Sequence, residues 1–419
     1  MRIKTKDITK LLLFFTLFGL EDFACLVPSS NYIANSFLKF SDIGIILAIF
    51  WTLWVLFFVR KQTKEKNKYR YGLFIFAFFI IIIISSFCAN YFFSQSVFIG
   101  IRSMRKIIIC LILYFPILKC LQNNIITKNE LLKYIYIISF FELTIYILQF
   151  LLVNKITFVY IDTGEFRYDS VRLRFPYLFP LISGFISLDN ILSSKKSRFI
   201  DFYYTIGSFV LVAGICKYRA PSLILLVIFI IGFIIWKKGI DKKIFIGFLI
   251  FGCLSFYLAN SNIVQSSLRV FEKKETISKD NTLMIREDGQ KYYLEKLKKS
   301  PVFGFGLPNL NNRSAMIASG SLKYYYLADN GIIGFIYIHG LIGAVWVLFL
   351  FKKVIKDSYM IYVKNESMRY LLYFMFEILN LYIGMHWYYY YPLPFVLMLI
   401  LLDYEVVDVE RKCKYERER

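Results

Sequence analysis

Histidine occurs only twice in this 419-residue chain, and acidic residues are scarce, 29 against 51 Lys and Arg. The two histidines, His339 and His386, stand far apart, and no His-Glu-x-x-His run is present, so metal-hydrolase spacing is lacking. No Gly-x-x-x-x-Gly-Lys phosphate loop and no dinucleotide fingerprint occurs. The seven cysteines (Cys25, Cys88, Cys110, Cys120, Cys216, Cys253 and Cys413) lie mostly in apolar runs, which excludes a disulfide framework and metal-ligand spacing. No metal and no cofactor is expected. There is no solenoid-type repeat, no Pro- or Gly-rich linker, and no alternation of apolar and polar residues of the outer-membrane-barrel kind. The net charge of +22 is spread over many loops instead of forming one patch, which argues against nucleic acid as a partner. Basic loops of this kind meet anionic lipid headgroups.

What the chain has in abundance is apolar surface. Hydrophobic residues make up 58% of it and aromatics 19%, outside the range of an ordinary soluble domain. Runs such as 11–25, 71–87 and 223–236 approach the roughly 20 residues of a membrane-crossing helix. The sequence predicts an all-α integral membrane protein of about 12 spans, near 11–28, 43–59, 71–88, 100–118, 131–153, 176–193, 200–216, 220–236, 244–260, 328–350, 370–385 and 388–402. Residues 1–260 form a bundle of about nine spans. Residues 261–327 form one large extracytoplasmic loop, 328–402 the last three spans and 403–419 a cytoplasmic tail. Most Lys and Arg fall in the loops that are cytoplasmic if both termini are inside. Arg2, Lys4, Lys6 and Lys10 resemble the basic start of a signal peptide, but no convincing cleavage site follows, so the first apolar run reads as an uncleaved span.

Several arginines run against that charge bias. The short outer loop before residue 176 carries Arg167, Arg172 and Arg174, and other outer helix ends add Arg102, Arg105 and Arg219. Arg172 and Arg174 alternate with apolar neighbours, so an extended segment projects both from one face. Arg102 and Arg105 are one helical turn apart and share a face. Cations retained outside a membrane suggest a bound anion, and the guanidinium fork matches phosphate. Snorkelling to headgroups, or pairing with Asp162, Glu165 and Asp169, is the plainer alternative. The large loop contains Arg286 and a helix around 291–299 with Leu294 and Leu297 on a small apolar edge, ended by Pro301, Gly304 and Gly306. It is expected to pack as a lid over the outer face of the bundle. Asp329 and Asn330 follow it at the mouth of a span. They suit either an N-cap or the handling of a hydroxyl proton. His339 is an ionisable group inside a span, a functional candidate for that reason. His386 lies in an aromatic turn with Trp387 and Tyr388–Tyr391, an interfacial belt that can also stack on sugar rings.

Four short motifs, in order, resemble the superfamily of bacterial O-antigen polymerases and O-antigen ligases. They are Arg174-Phe175-Pro176-Tyr177 with Gly184; Tyr218-Arg219-Ala220-Pro221; Arg286 and Leu294 followed by Pro301-Val302-Phe303-Gly304-Phe305-Gly306; and Asp329-Asn330 followed by Gly340-Leu341-Ile342-Gly343. Ligases of the superfamily usually carry His where this chain has Asp329, which favours the polymerase branch. The resemblance implies a metal-independent inverting glycosyltransferase of the bacterial inner membrane. Its substrates would be undecaprenyl-pyrophosphate-linked oligosaccharides, and a chain-length regulator and a flippase would be its possible partners. Arg174, Arg219 and Arg286 would neutralise the departing pyrophosphate, and Asp329 would orient or deprotonate the acceptor hydroxyl. Arg167, Arg172, Arg102, Arg105, Asn330, His339 and His386 would contact pyrophosphate or glycan. A ligase, or a flippase for lipid-linked oligosaccharides, is the competing reading.

Overall fold

The computed structural model describes residues 5–28, 32–34, 38–59, 69–161, 165–167, 170–193, 199–235, 282–309 and 312–417. The span expected at 244–260 and the loop segment 261–281 lie outside the described residues. Helices dominate. They are α1 (Thr5–Leu20), α2 (Asp42–Phe58), α3 (Gly72–Phe93), α4 (Val97–Ser103), α5 (Arg105–Gln122), α6 (Lys128–Leu152), α7 (Leu178–Leu192), α8 (Phe199–Val210) and α9 (Arg219–Ile235). After the undescribed stretch come α10 (Thr282–Leu297), α11 (Arg313–Ala318), α12 (Gly331–Asn365), α13 (Arg369–Asn380), α14 (His386–Tyr389) and α15 (Pro392–Arg417). The helices Gly72–Phe93 and Lys128–Leu152 and the stretch Leu327–Asn365 are long and apolar enough to cross a membrane. The helical stretches Asp42–Phe58, Leu178–Leu192, Phe199–Ile215 and Arg219–Ile235 are shorter and apolar.

Two departures from an all-helical chain matter. Two antiparallel hairpins are present, β1 (Tyr32–Ala34) with β2 (Leu38–Lys39), and β3 (Glu165–Arg167) with β4 (Ser170–Arg172). The second hairpin delivers Arg172, and the chain then runs extended to Pro176. In addition, the span expected at 100–118 is broken at Met104, which separates α4 from α5. The break has a local reason. Arg105 turns aside to pair with Asp42 at 2.7 Å, while its Nη1 covers the Arg102 carbonyl at 3.2 Å. Arg102 and Arg105 therefore do not belong to one continuous helix.

The ends of the helices far from residue 330 are locked by buried ion pairs. Arg70 reaches Asp357 on α12 at 3.1 Å, and its backbone N–H donates to Asp403 on α15 at 2.9 Å. Tyr71 donates to Asp357 at 2.9 Å, and Tyr114 of α5 bonds Asp403. Nearby, Glu405 accepts from Arg369 at 3.0 Å, from Tyr370 at 2.6 Å and from Lys128 at 2.7 Å. Asp189 of α7 accepts from the Met368 N–H at 2.6 Å and the Ser367 hydroxyl at 2.8 Å. These bonds tie α3, α5, α6, α7, α12, α13 and α15 at one end. The carboxylates are nearly buried, so removing one cationic partner would leave an uncompensated charge.

At the other end, α12 is interrupted one third of the way along. Gly340 has φ 67° and ψ −167°, a conformation essentially reserved for glycine. The turn 301–306 fills the gap. Phe305 N–H donates to the Tyr337 carbonyl at 2.8 Å and Gly306 N–H to Ile338 at 2.9 Å. In return, Leu341 N–H donates to Pro301 at 2.9 Å and Ile342 N–H to Val302 at 3.2 Å. Two carbonyls and two N–H groups freed by the break are thus satisfied by the loop. The approach is too close for side chains: a Cβ on Gly340 would stand 2.1 Å from the Val302 oxygen, and one on Gly304 2.5 Å from the Gly340 nitrogen. Phe305 then stacks flat on Tyr337, centroids 4.9 Å apart. The glycines expected only to end a helix in fact splice the loop into α12.

Docking of α10 follows from the same splice, but not by the expected apolar edge. Leu294 is exposed. The buried face carries Tyr293, which donates to the Tyr325 carbonyl at 2.8 Å, and Gly289, which sits against Asn330. Arg286 lies one turn before Gly289 and shares its face. Gly340→Ala is expected to lower the unfolding temperature of the protein in detergent, with a stability loss of at least about 1–3 kcal/mol from backbone strain. An unchanged unfolding temperature would contradict the splice.

Candidate functional site

A cavity of about 1010 Å³ opens where the end of β4, the turn before α9, α10, the segment 321–330 and α14 meet. Four arginines line it: Arg172, Arg174, Arg219 and Arg286. Each comes from a different place in the chain or a different local setting.

The extended segment after β4 is held by its apolar residues. Leu173 and Phe175 are fully buried, and Phe175 stacks on Tyr146 of α6 with centroids 4.0 Å apart. That alternation turns Arg172 and Arg174 toward the cavity. Their settings differ. Arg172 is buried, its Nε donates to the Cys216 carbonyl at 2.9 Å, and its guanidinium lies 5.0 Å from the centre of the Tyr218 ring. Arg174 is exposed to the cavity and acts electrostatically on the Tyr218 and Tyr390 hydroxyls.

The Cys216 carbonyl is presented by an irregular turn. Helix α8 widens into a π-type segment at Leu211–Ile215, and Lys217 follows with φ 51°. Insertions of this kind are frequent at functional sites. Burial and the neighbouring Arg172 charge push the Lys217 ammonium below its ordinary value. The turn ends at Arg219, the first residue of α9, whose side chain enters the same cavity.

Arg286 enters the cavity from α10 and faces Asp329 at 4.0 Å. Both side chains are well exposed, 39% and 49%. A pair of this kind is worth only about 0.2–1 kcal/mol, so an incoming anion can displace the carboxylate. Neither Asp329 nor Asn330 caps α12 through its side chain. Asn330 holds the cap position without a capping bond, and its Nδ2 donates instead to the Tyr326 carbonyl at 2.7 Å. Its Oδ1 is buried, with no partner among the described residues.

His386 also lines the cavity, at the start of α14, and its Nδ1 lies 2.7 Å from the Tyr177 hydroxyl. Burial, assisted by the charge of Arg286, pushes the imidazole down to about 4. His339 belongs elsewhere. It is buried between Ser85 at 2.6 Å and Tyr388 at 2.7 Å, both ring nitrogens engaged, and it packs against Phe335. It braces α3 against α12 and does not reach the cavity. Arg102 and Arg105 also stand apart from the cavity lining, at the junction with Asp42. The side chain of Arg167 lies outside the described residues.

The remaining lining is aromatic to a degree that composition alone did not reveal. Eight tyrosines face the cavity: Tyr177, Tyr218, Tyr324, Tyr325, Tyr326, Tyr389, Tyr390 and Tyr391. Only the last three fell in the aromatic turn singled out in the sequence. The consecutive Tyr324–Tyr326 was the available signal for the rest. Flat amphipathic rings beside cations suit a ligand with an anionic head and a polyhydroxylated body. Among the described residues no cluster of three or more His, Cys, Asp or Glu is arranged to hold a metal ion. No family model, curated protein or solved structure matches this chain.

Inorganic pyrophosphate binding to the protein in lipid nanodiscs, followed by calorimetry, tests the site. Arg286→Ala should weaken it by about 10–100-fold, the loss of one charge-assisted contact. Asp329→Asn should instead tighten it a few-fold, because it releases Arg286. Weakening by both substitutions would contradict a competitive Arg286–Asp329 pair.

Proposed function

We propose that this chain polymerises undecaprenyl-pyrophosphate-linked oligosaccharide repeat units at the outer face of a bacterial cytoplasmic membrane, as an O-antigen or capsule polymerase. In this reading the chain crosses the membrane about 12 times with both termini inside. The observation that carries the proposal is the convergence of Arg172, Arg174, Arg219 and Arg286 on one tyrosine-lined cavity. All four motifs that resemble the O-antigen polymerases contribute residues to the cavity lining, and the Pro301–Gly306 turn is bonded into α12 beside it.

The chemistry follows from the arrangement. The growing glycan is the donor and a new lipid-linked repeat unit the acceptor. The acceptor hydroxyl attacks the anomeric carbon, and the pyrophosphate leaves with the bonding electron pair. Developing negative charge on that group is met by Arg174, Arg219 and Arg286, which are in place before the reaction. Arg172, fixed on Cys216 and Tyr218, supports the turn and adds to the positive field. Tyrosine faces hold the sugars, and the docked loop limits the access of water, which protects the donor from hydrolysis.

A specific observation favours a second reading, transport of the lipid-linked glycan. Glu142 on α6 and Glu377 on α13 are buried; the Glu142 carboxyl oxygens have no hydrogen-bond partner among the described residues, and Glu377 faces the buried Tyr373 hydroxyl. Ionisable groups at such depth are common in coupled transporters. The cavity arginines, however, lie at helix ends and not along a path through the bundle.

Glycan analysis of a strain lacking this gene separates the readings. Complementation with wild type should restore long lipid-linked or surface chains, while Arg174→Ala should leave glycans at one repeat unit. Long lipid-linked chains left unattached in the deletion strain would indicate a ligase. Repeat units trapped on the inner face would indicate a flippase.

A further inference from the structure

We propose that His386 is the group that takes the acceptor proton in this cavity, with Tyr177 as the positioning residue that holds its ring, while Asp329 gates Arg286. The proposal rests on the polymerase reading and assigns the proton-transfer step within it.

The geometry comes first. His386 is the cavity's histidine, and the charge of Arg286, another lining residue, acts on its ring. Its Nδ1 is 2.7 Å from the Tyr177 hydroxyl. Tyr177 is itself buried, at the start of α7, directly after the Arg174 segment. Rings of Tyr177, Tyr218 and Tyr390 flank the imidazole at centroid distances of 5.6, 6.3 and 6.1 Å. The other nitrogen, Nε2, has no hydrogen bond among the described residues. Gly384 lies against that edge and, lacking a side chain, leaves it room: a Cβ there would stand 2.7 Å from Nε2. Met385, with φ 38°, turns the chain between them. With the proton on Nδ1 and donated to the Tyr177 oxygen, Nε2 offers a lone pair.

Asp329 is less suited to the task. It is half exposed and engaged with Arg286. Binding of the donor pyrophosphate would draw Arg286 away from it, which makes Asp329 a placeholder for the anion.

The step balances as follows. The acceptor O–H bond breaks and its proton passes to Nε2. The oxygen forms the new bond to the anomeric carbon, and the anomeric carbon–oxygen bond to pyrophosphate breaks with its electron pair leaving on the phosphate. The imidazolium then returns its proton to the departing pyrophosphate or to water. In the empty cavity the ring is neutral at physiological pH, since burial and Arg286 disfavour its charged form. Pyrophosphate bound at Arg286 offsets that charge and raises the proton affinity of the ring. The base is thereby strengthened only when the donor is present.

The chain has two histidines, so selective ¹⁵N-histidine labelling of the full protein in nanodiscs yields two ring systems. His386→Gln assigns them, and the His339 signals, fixed by Ser85 and Tyr388, report that each variant is folded. Three results are expected. His386 should be the Nδ1–H tautomer; inorganic pyrophosphate should move its titration upward by about one pH unit, tenfold in proton affinity, while leaving His339 unmoved. Tyr177→Phe should mix the tautomers. His386→Gln should cut polymer synthesis by about 100-fold or more with pyrophosphate affinity within a few-fold of wild type. If pyrophosphate binds but His386 does not respond, or if His386→Gln polymerises at the wild-type rate, the proposal falls and the polymerase reading stands. If pyrophosphate does not bind at all, both fall.

Discussion

Four guanidinium groups around one cavity repel each other, and the surrounding structure is arranged to offset that repulsion. Two unit charges 4 Å apart interact by about 1 kcal/mol in water and about 4 kcal/mol at an effective dielectric near 20. Arg172 is therefore given a carbonyl and a ring face, and Arg286 a carboxylate. The π-type segment at the end of α8 exists where it can present the Cys216 carbonyl to Arg172. Buried ion pairs at the far ends of the helices fix the bundle against which the arginine-bearing turns lean. A site that holds like charges together in advance spends folding energy so that an anion meets cations already gathered, with only the Arg286–Asp329 pair to exchange.

The splice at Gly340 is the mechanical counterpart. A loop attached only by its ends would leave Arg286 free to swing away from the other arginines. Main-chain bonds from 301–306 into the gap of α12 make the loop continuous with a membrane-scale helix. The same break lets the first third of α12 carry Asp329 and Asn330 at its mouth while the remainder runs on to the Asp357 lock. His339, one residue before the break, ties α12 back to α3 through Ser85. Its role is to stabilise this joint.

Legibility of the sequence divides along physical lines. Arg172, Arg174 and Arg219 could be picked out because cations expected outside a membrane oppose a statistical rule, whereas Arg286 was singled out only by the motif resemblance. Asp329, Asn330 and His386 were legible from their place at helix mouths. Arg102 and Arg105 obeyed the same signal yet stand off the cavity, where Arg105 pairs with Asp42, since one sequence cannot show which arginine has a nearby carboxylate. His339 could not be told from a ligand-binding histidine, because both ring nitrogens are satisfied by residues remote in sequence. The Met104 break, the π-type turn and the hairpin before Arg172 left no periodicity to read. Tyr324–Tyr326 drew no functional reading until the fold turned them, with Tyr177, onto one cavity. The helical class was plain from apolar run lengths; the glycine splice was visible only as a turn.

The central claim is that this cavity binds a lipid-linked pyrophosphate between arginines from separate elements. The most direct measurement is an electron cryomicroscopy structure of the protein in nanodiscs with undecaprenyl pyrophosphate. The account predicts phosphate density within hydrogen-bond reach of Arg174, Arg219 and Arg286, with Asp329 released from Arg286. Phosphate bound elsewhere on the protein, with the Arg286–Asp329 pair intact and the cavity empty, would contradict it.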